Sequence, residues 1–168
     1  MRIICSLIVV MAMALPAAAA GGKAVTYEVD GAPYEGYFVS PAPDAPLVLL
    51  IHDWDGLTDY EVKRAEMLAA EGYAVFAADL FGAGVRPTKV EDKRQHTGEL
   101  YKDRTKMRAL IQGALDTAKG QGADTGNAVV MGYCFGGAAV LEFARSGADM
   151  QGFVTFHGGL KTPEGQDY

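Results

Sequence analysis

The chain has 168 residues, 49% of them hydrophobic and 21% charged, with a formal net charge of −6 and a pI near 5.0. These values suit one soluble globular domain with a sizeable core. No basic block stands out, so binding to nucleic acid or to an anionic membrane surface has no electrostatic support.

Residues 1–20 read as a separate object. Arg2 gives a short positive start, Ile3 to Leu15 an apolar run that Pro16 breaks, and Ala18-Ala19-Ala20 the small residues a signal peptidase reads. A bilayer takes about 20 apolar residues to cross, so the run is too short for an anchor. The expectation is a cleaved export signal, a mature chain running from Gly21 to Tyr168, and a periplasmic or secreted protein. No cysteine follows the small-residue site, so no lipoprotein anchor is expected. Cys5 leaves with the signal. Cys134 is then the one cysteine of the mature chain and has no partner for an internal disulfide. Such a thiol is buried and inert, paired between chains, or reactive. Burial is the commonest fate, because free cysteine packs as a small hydrophobe.

Val25 to Val39 alternates around Asp30-Gly31, which predicts a β-hairpin. Leu47 to Ile51 is a short continuous apolar run, as in a strand buried on both faces. The loop His52-Asp53-Trp54-Asp55-Gly56 follows. Thr58-Asp59-Tyr60-Glu61 has capping-box spacing and predicts a helix start, with Gly72 as its left-handed stop. Tyr73 to Leu80 is a second buried strand, ending in Asp79-Leu80-Phe81-Gly82. From about Glu91 the chain is helix-prone, and Met107, Leu110, Ile111, Ala114, Leu115 and Ala118 recur at helical spacing. Asn127 to Met131 predicts a strand, Ala138 to Arg145 a small-residue helix, and Gln151 to Phe156 a last strand before His157-Gly158-Gly159. Alternation of short apolar strands with longer helices predicts an α/β fold, a mostly parallel sheet with helices on both faces.

Cys134 falls in Gly132-Tyr133-Cys134-Phe135-Gly136, between a predicted strand and a predicted helix. That is the context of a nucleophile elbow, where glycines two residues either side let the chain turn tightly. The turn lifts the sulfur above the C-terminal edge of the sheet, and the helix N-terminus is expected to favour a thiolate there. The amides of Phe135 and of Trp54, on the earlier loop, are the candidate oxyanion donors.

The stretches "MGYCFGG", "IHDWDGL" and "YAVFAADLFG" resemble the dienelactone hydrolase family, from about Tyr27 to Leu160. The resemblance implies an α/β-hydrolase fold and hydrolysis of a small-molecule ester or lactone through a thioester on Cys134. It implies that Asp53, where the family usually has glutamate, holds the proton of the resting thiol. Arg86 lies slightly beyond the position of an arginine that binds the substrate carboxylate in the best-known members. No cofactor is expected. His52, Asp53 and Asp55 are weak evidence for a zinc site, so no metal is expected either.

Family members carry their catalytic aspartate and histidine after further strand and helix units, whereas this chain ends at Tyr168. The expectation is a truncated member whose open sheet edge promotes self-association and which turns over activated esters slowly or not at all. His157, at a strand end on the same sheet edge as Cys134, is the candidate substitute base; the alternative is a loop histidine bonded to nearby backbone. His52 is read as shaping its loop and His96 as solvated; Asp149 and Asp167 have little to recommend them as the triad acid. The alternative is a non-catalytic exported binding domain or an inactive fragment on the same fold. A redox role is disfavoured by the lack of a C-x-x-C pair.

Overall fold

The computed structural model describes residues 21–162, 164 and 165. The export-signal reading of residues 1–20 and the reading of Asp167 lie outside the described residues. Among them, no helix is long and apolar enough to cross a membrane.

The chain begins with the expected hairpin, β1 (Lys23–Val29) paired antiparallel with β2 (Ala32–Val39). Asp30 and Gly31 sit at φ 51° and 76° in its turn, which is the left-handed pair a tight hairpin needs. There follow β3 (Pro46–Ile51), α1 (Asp59–Ala70), β4 (Ala74–Ala78), α2 (Val90–Lys102), α3 (Arg104–Gly120), β5 (Asp124–Tyr133), α4 (Phe135–Arg145) and β6 (Gly152–Phe156). The strands form one open six-stranded sheet in the order β1-β2-β4-β3-β5-β6. β4, β3, β5 and β6 run parallel, and β2 joins β4 antiparallel.

Strand alternation sorts the apolar residues between two cores. Leu47, Leu49 and Ile51 of β3, with Ala74, Phe76 and Ala78 of β4, face α3 and α4 and meet Met107, Leu110, Ile111, Ala139 and Phe143. Val48, Leu50, Val75 and Ala77 face the other way, onto Ala65 and Ala69 of α1. The unbroken apolar run of β3 is thus explained by burial on both faces.

Helix ends follow local chemistry. Glu61 accepts hydrogen bonds from the N–H and the hydroxyl of Thr58, each at 2.8 Å, completing the capping box of α1. Gly72 takes φ 100° just beyond that helix. The helix-prone stretch after Glu91 is two helices. Asp103 leaves helical geometry (φ −110°, ψ 81°) and its carboxylate caps α3 through the Lys106 N–H at 2.8 Å. An Asp competing for nearby backbone amides outweighs the surrounding helix propensity. Across the α3–α4 contact, fully buried Glu142 pairs with Arg108 at 2.7 Å and with Arg104 at 3.5 Å.

Candidate active site

The sheet delivers Cys134 to a strained turn. β5 ends at Tyr133, α4 begins at Phe135, and Cys134 between them takes φ 49°, ψ −108°, a region that L-residues with a side chain rarely adopt. The flanking glycines are required by contact. A Cβ on Gly132 would stand 2.5 Å from the carbonyl of Gly136, and a Cβ on Gly136 would stand 2.5 Å from the main-chain oxygens of Ile51 and His52. The ends of β3 and β5 and the first turn of α4 therefore meet backbone to backbone. The Cys134 N–H donates to the Phe156 carbonyl at 2.9 Å, and the Cys134 carbonyl accepts from the Ala138 N–H at 3.1 Å.

The loop after β3 is built around His52, which is fully buried. The Leu80 N–H donates to its Nε2 at 3.1 Å, so Nδ1 carries the proton and donates to the Asp53 carbonyl. Burial pulls this imidazole below its usual pKa. Its ring also packs on Phe81 and Phe135, with centroids at 4.6 and 5.9 Å. His52 is a neutral brace between the ends of β3 and β4, in line with its reading as a loop-shaping residue.

That brace sets Asp53 against the thiol. The Asp53 carboxylate accepts from the Trp54 N–H and is hydrogen-bonded with Cys134, while the Phe135 N–H faces the sulfur. His157 follows β6 at φ 46° and is exposed. A ring nitrogen of His157, a carboxylate oxygen of Asp53 and Sγ of Cys134 all lie within 4.8 Å of one another. Three residues far apart in the chain, each singled out from the sequence, thus converge.

Other expectations resolve differently. Burial raises the Cys134 pKa, and the charge of Asp53 and its hydrogen bond add to the effect; the Phe135 amide opposes them. The expected thiolate-favouring influence of the helix N-terminus is present in the Phe135 amide but outweighed. Of the two candidate oxyanion amides, that of Phe135 lies beside the sulfur and that of Trp54 is occupied by Asp53. Arg86 is not brought to this cluster. It donates to the Val85 carbonyl at 2.8 Å, lies 3.8 Å from both Glu35 and Asp79, and lines a neighbouring cleft. Fully buried Asp79 accepts from the amides of Phe81, Gly82 and Glu35 and so shapes the end of β4. His96 is half-buried and stacks on Phe81 at 5.2 Å, where the sequence reading had it in solvent; an aromatic partner on the adjacent loop draws it in. Asp149 is exposed and precedes β6, at the opposite end of the parallel strands from Cys134.

An open cleft of about 280 Å³ is lined by Asp53, Asp55, Tyr60, Tyr133 and His157, among others. Tyr60 meets Tyr133 edge-on at 5.7 Å, and Tyr133 stacks on Phe156 at 4.8 Å, giving the cleft an aromatic wall. Tyr101 of α2 leans edge-on against Phe135 at 5.6 Å and couples electrostatically to Cys134 and Asp53. These tyrosines were not singled out in the sequence. Only Tyr133 carried a signal, its place directly before the candidate nucleophile.

The profile of the dienelactone hydrolase family matches residues 34–167. The chain belongs to the dienelactone hydrolase family. A solved structure designated m3DLH is 36% identical with a TM-score of 0.79, covering 85% of this chain and 62% of its own. A dienelactone hydrolase-like promiscuous phosphotriesterase from metagenomic libraries is 34% identical with a TM-score of 0.78, covering 83% and 59%. Protein usf of Aquifex pyrophilus is 28% identical over 143 residues, 82% of this chain and 62% of its own. The chain thus spans about three fifths of the length of these relatives.

Proposed function

We propose that the chain hydrolyses carboxylic esters or lactones, with Cys134 as the nucleophile. The observation that carries this reading is the strained Cys134 backbone at φ 49°, ψ −108°, with the Phe135 amide beside the sulfur and Asp53 and His157 within 4.8 Å. A nucleophile, a proton acceptor and an anion-stabilising amide are the parts acyl transfer needs.

In the resting state Asp53 holds the thiol proton and covers the Trp54 amide. A substrate carbonyl entering the cleft displaces the carboxylate, which frees the Trp54 N–H to join that of Phe135 around the developing oxyanion. The thiol proton passes to His157 as Sγ forms its bond to the carbonyl carbon. The C–O bond then breaks, and His157 returns the proton to the leaving alkoxide. Water attacks the thioester, the acid departs, and the thiol is restored. Asp53, Glu61 and Asp55 line the cleft and, among the described residues, only Asp55 has a cationic partner there, Lys93 at 3.7 Å, so a neutral ester suits it better than one bearing a carboxylate.

The test is turnover of p-nitrophenyl acetate by the 168-residue chain. Cys134→Ala lowers it by about a thousandfold or more, and intact mass spectrometry of the wild type shows an acyl adduct on Cys134. Turnover that survives Cys134→Ala overturns the reading. Because Asp53 raises the thiol pKa, Asp53→Asn shifts the pH midpoint of iodoacetamide labelling downward and speeds labelling at neutral pH; an unmoved midpoint removes Asp53 from its role. The N-terminal reading adds export with a mature start at Gly21, checked by the mass of the product recovered outside the cytoplasm.

A further inference from the structure

We propose that Cys134, His157 and Asp53 form a binding site for a borderline-soft divalent cation, zinc above all, which reversibly blocks the sulfur. The donor set differs from the His52, Asp53, Asp55 loop cluster that the sequence suggested only weakly. It unites a sulfur, an imidazole nitrogen and a carboxylate oxygen from three separate elements, all within 4.8 Å of one another. Tetrahedral zinc has bonds of about 2.0–2.3 Å, so its ligand atoms lie about 3.3–3.8 Å apart. Closing the cluster around a cation therefore takes shifts on the order of 1 Å, well within one side-chain adjustment.

The three donors are unequally free, in a way that suits capture. Cys134 is fixed by the elbow, and Asp53 is steadied by the Trp54 amide. His157 is exposed at the end of an outer strand and is the ligand able to move in. Its exposure leaves the fourth coordination position open to solvent, as in zinc sites with three protein ligands. The mixture of sulfur, nitrogen and oxygen selects against magnesium and calcium, which take oxygen ligands.

Charge favours the same occupant. A thiolate and a carboxylate with a neutral imidazole carry two negative charges, which a dication neutralises. The Asp53 and Asp55 carboxylates beside the sulfur attract a cation, and its binding ionises the thiol. On binding, the S–H bond breaks, the sulfur–metal bond forms, and the proton leaves to solvent. No electron is transferred, and a chelator reverses the step.

Cobalt(II) is the probe, because thiolate ligation gives it a near-ultraviolet charge-transfer band. Titration of the chelator-treated chain gives that band at one cobalt per chain; zinc displaces it, and zinc slows iodoacetamide labelling of Cys134 until EDTA is added. Cys134→Ser loses the band. His157→Asn, chosen because asparagine tolerates positive φ, weakens binding by about tenfold or more, with an unchanged circular dichroism spectrum. No band in the wild type, or a band that both variants keep at full affinity, overturns the proposal. The site shares all three donors with the proposed acyl-transfer machinery but does not depend on turnover. Ester turnover measured in EDTA without any cobalt band sinks the metal site alone, and a band without turnover sinks the hydrolase reading alone.

Discussion

The β5–α4 turn and the β6 edge hold opposite sides of one cluster, and they are built differently. The turn leaves β5, which is paired on both sides, and its glycines are pressed against neighbouring main chain, which fixes the backbone around Cys134. β6 pairs with β5 alone among the described strands, and its Val154 and Phe156 are 40% and 43% exposed. His157 therefore rests on a support with far fewer packed neighbours. Close backbone contact positions the sulfur on a turn packed against β3, while the imidazole hangs on an edge strand whose end packs at Gly158 against Gly137 of α4.

The comparison breaks most severely at Gly136. Gly136→Ala forces a methyl into the carbonyls of Ile51 and His52 and is expected to lower stability by about 3 kcal/mol or more, read from urea denaturation. Full stability in that variant would mean the turn is not tightly set. His52→Ala comes next, at about 2–3 kcal/mol, since it strands the buried Leu80 N–H and removes a packed ring; the same denaturation curves measure it. Cys134→Gly is expected to act in the opposite direction. It relieves the strain at φ 49°, adding about 1–2 kcal/mol and raising the thermal midpoint by a few degrees while ending turnover. A lower midpoint would show that the turn stores no strain. Phe156→Ala, on the exposed edge, is expected to cost about 1 kcal/mol or less, and a loss as large as that at Gly136 would erase the contrast between the two regions.

Much of the frame was readable because it is written in local chemistry. Asp30-Gly31, Thr58 with Glu61, Gly72 and the Gly132–Gly136 spacing each specify backbone geometry within a few residues. The two-faced burial of β3 was readable from its unbroken apolar run. The split at Asp103 was not, since a single capping carboxylate decided it against good helix formers on both sides. Asp53 was tied to the thiol only through family resemblance, and its hold on the Trp54 amide was not foreseen. The place of His157, at a strand end on the edge that holds Cys134, was legible from the alternation of elements, whereas the capture of His96 by Phe81 is a through-space fact that no spacing in the chain encodes.

The ion cluster between α3 and α4 bears on the sulfur from a distance. α4 is a rod with Cys134 at its tip and Glu142 about 12 Å behind along the axis. Arg104 and Arg108 grip that point from α3. The rod is thereby seated at both ends, by these ion pairs at its rear and by the glycine contacts of the turn at its tip. The far helix pair thus shares with the turn the task of holding a single atom in place.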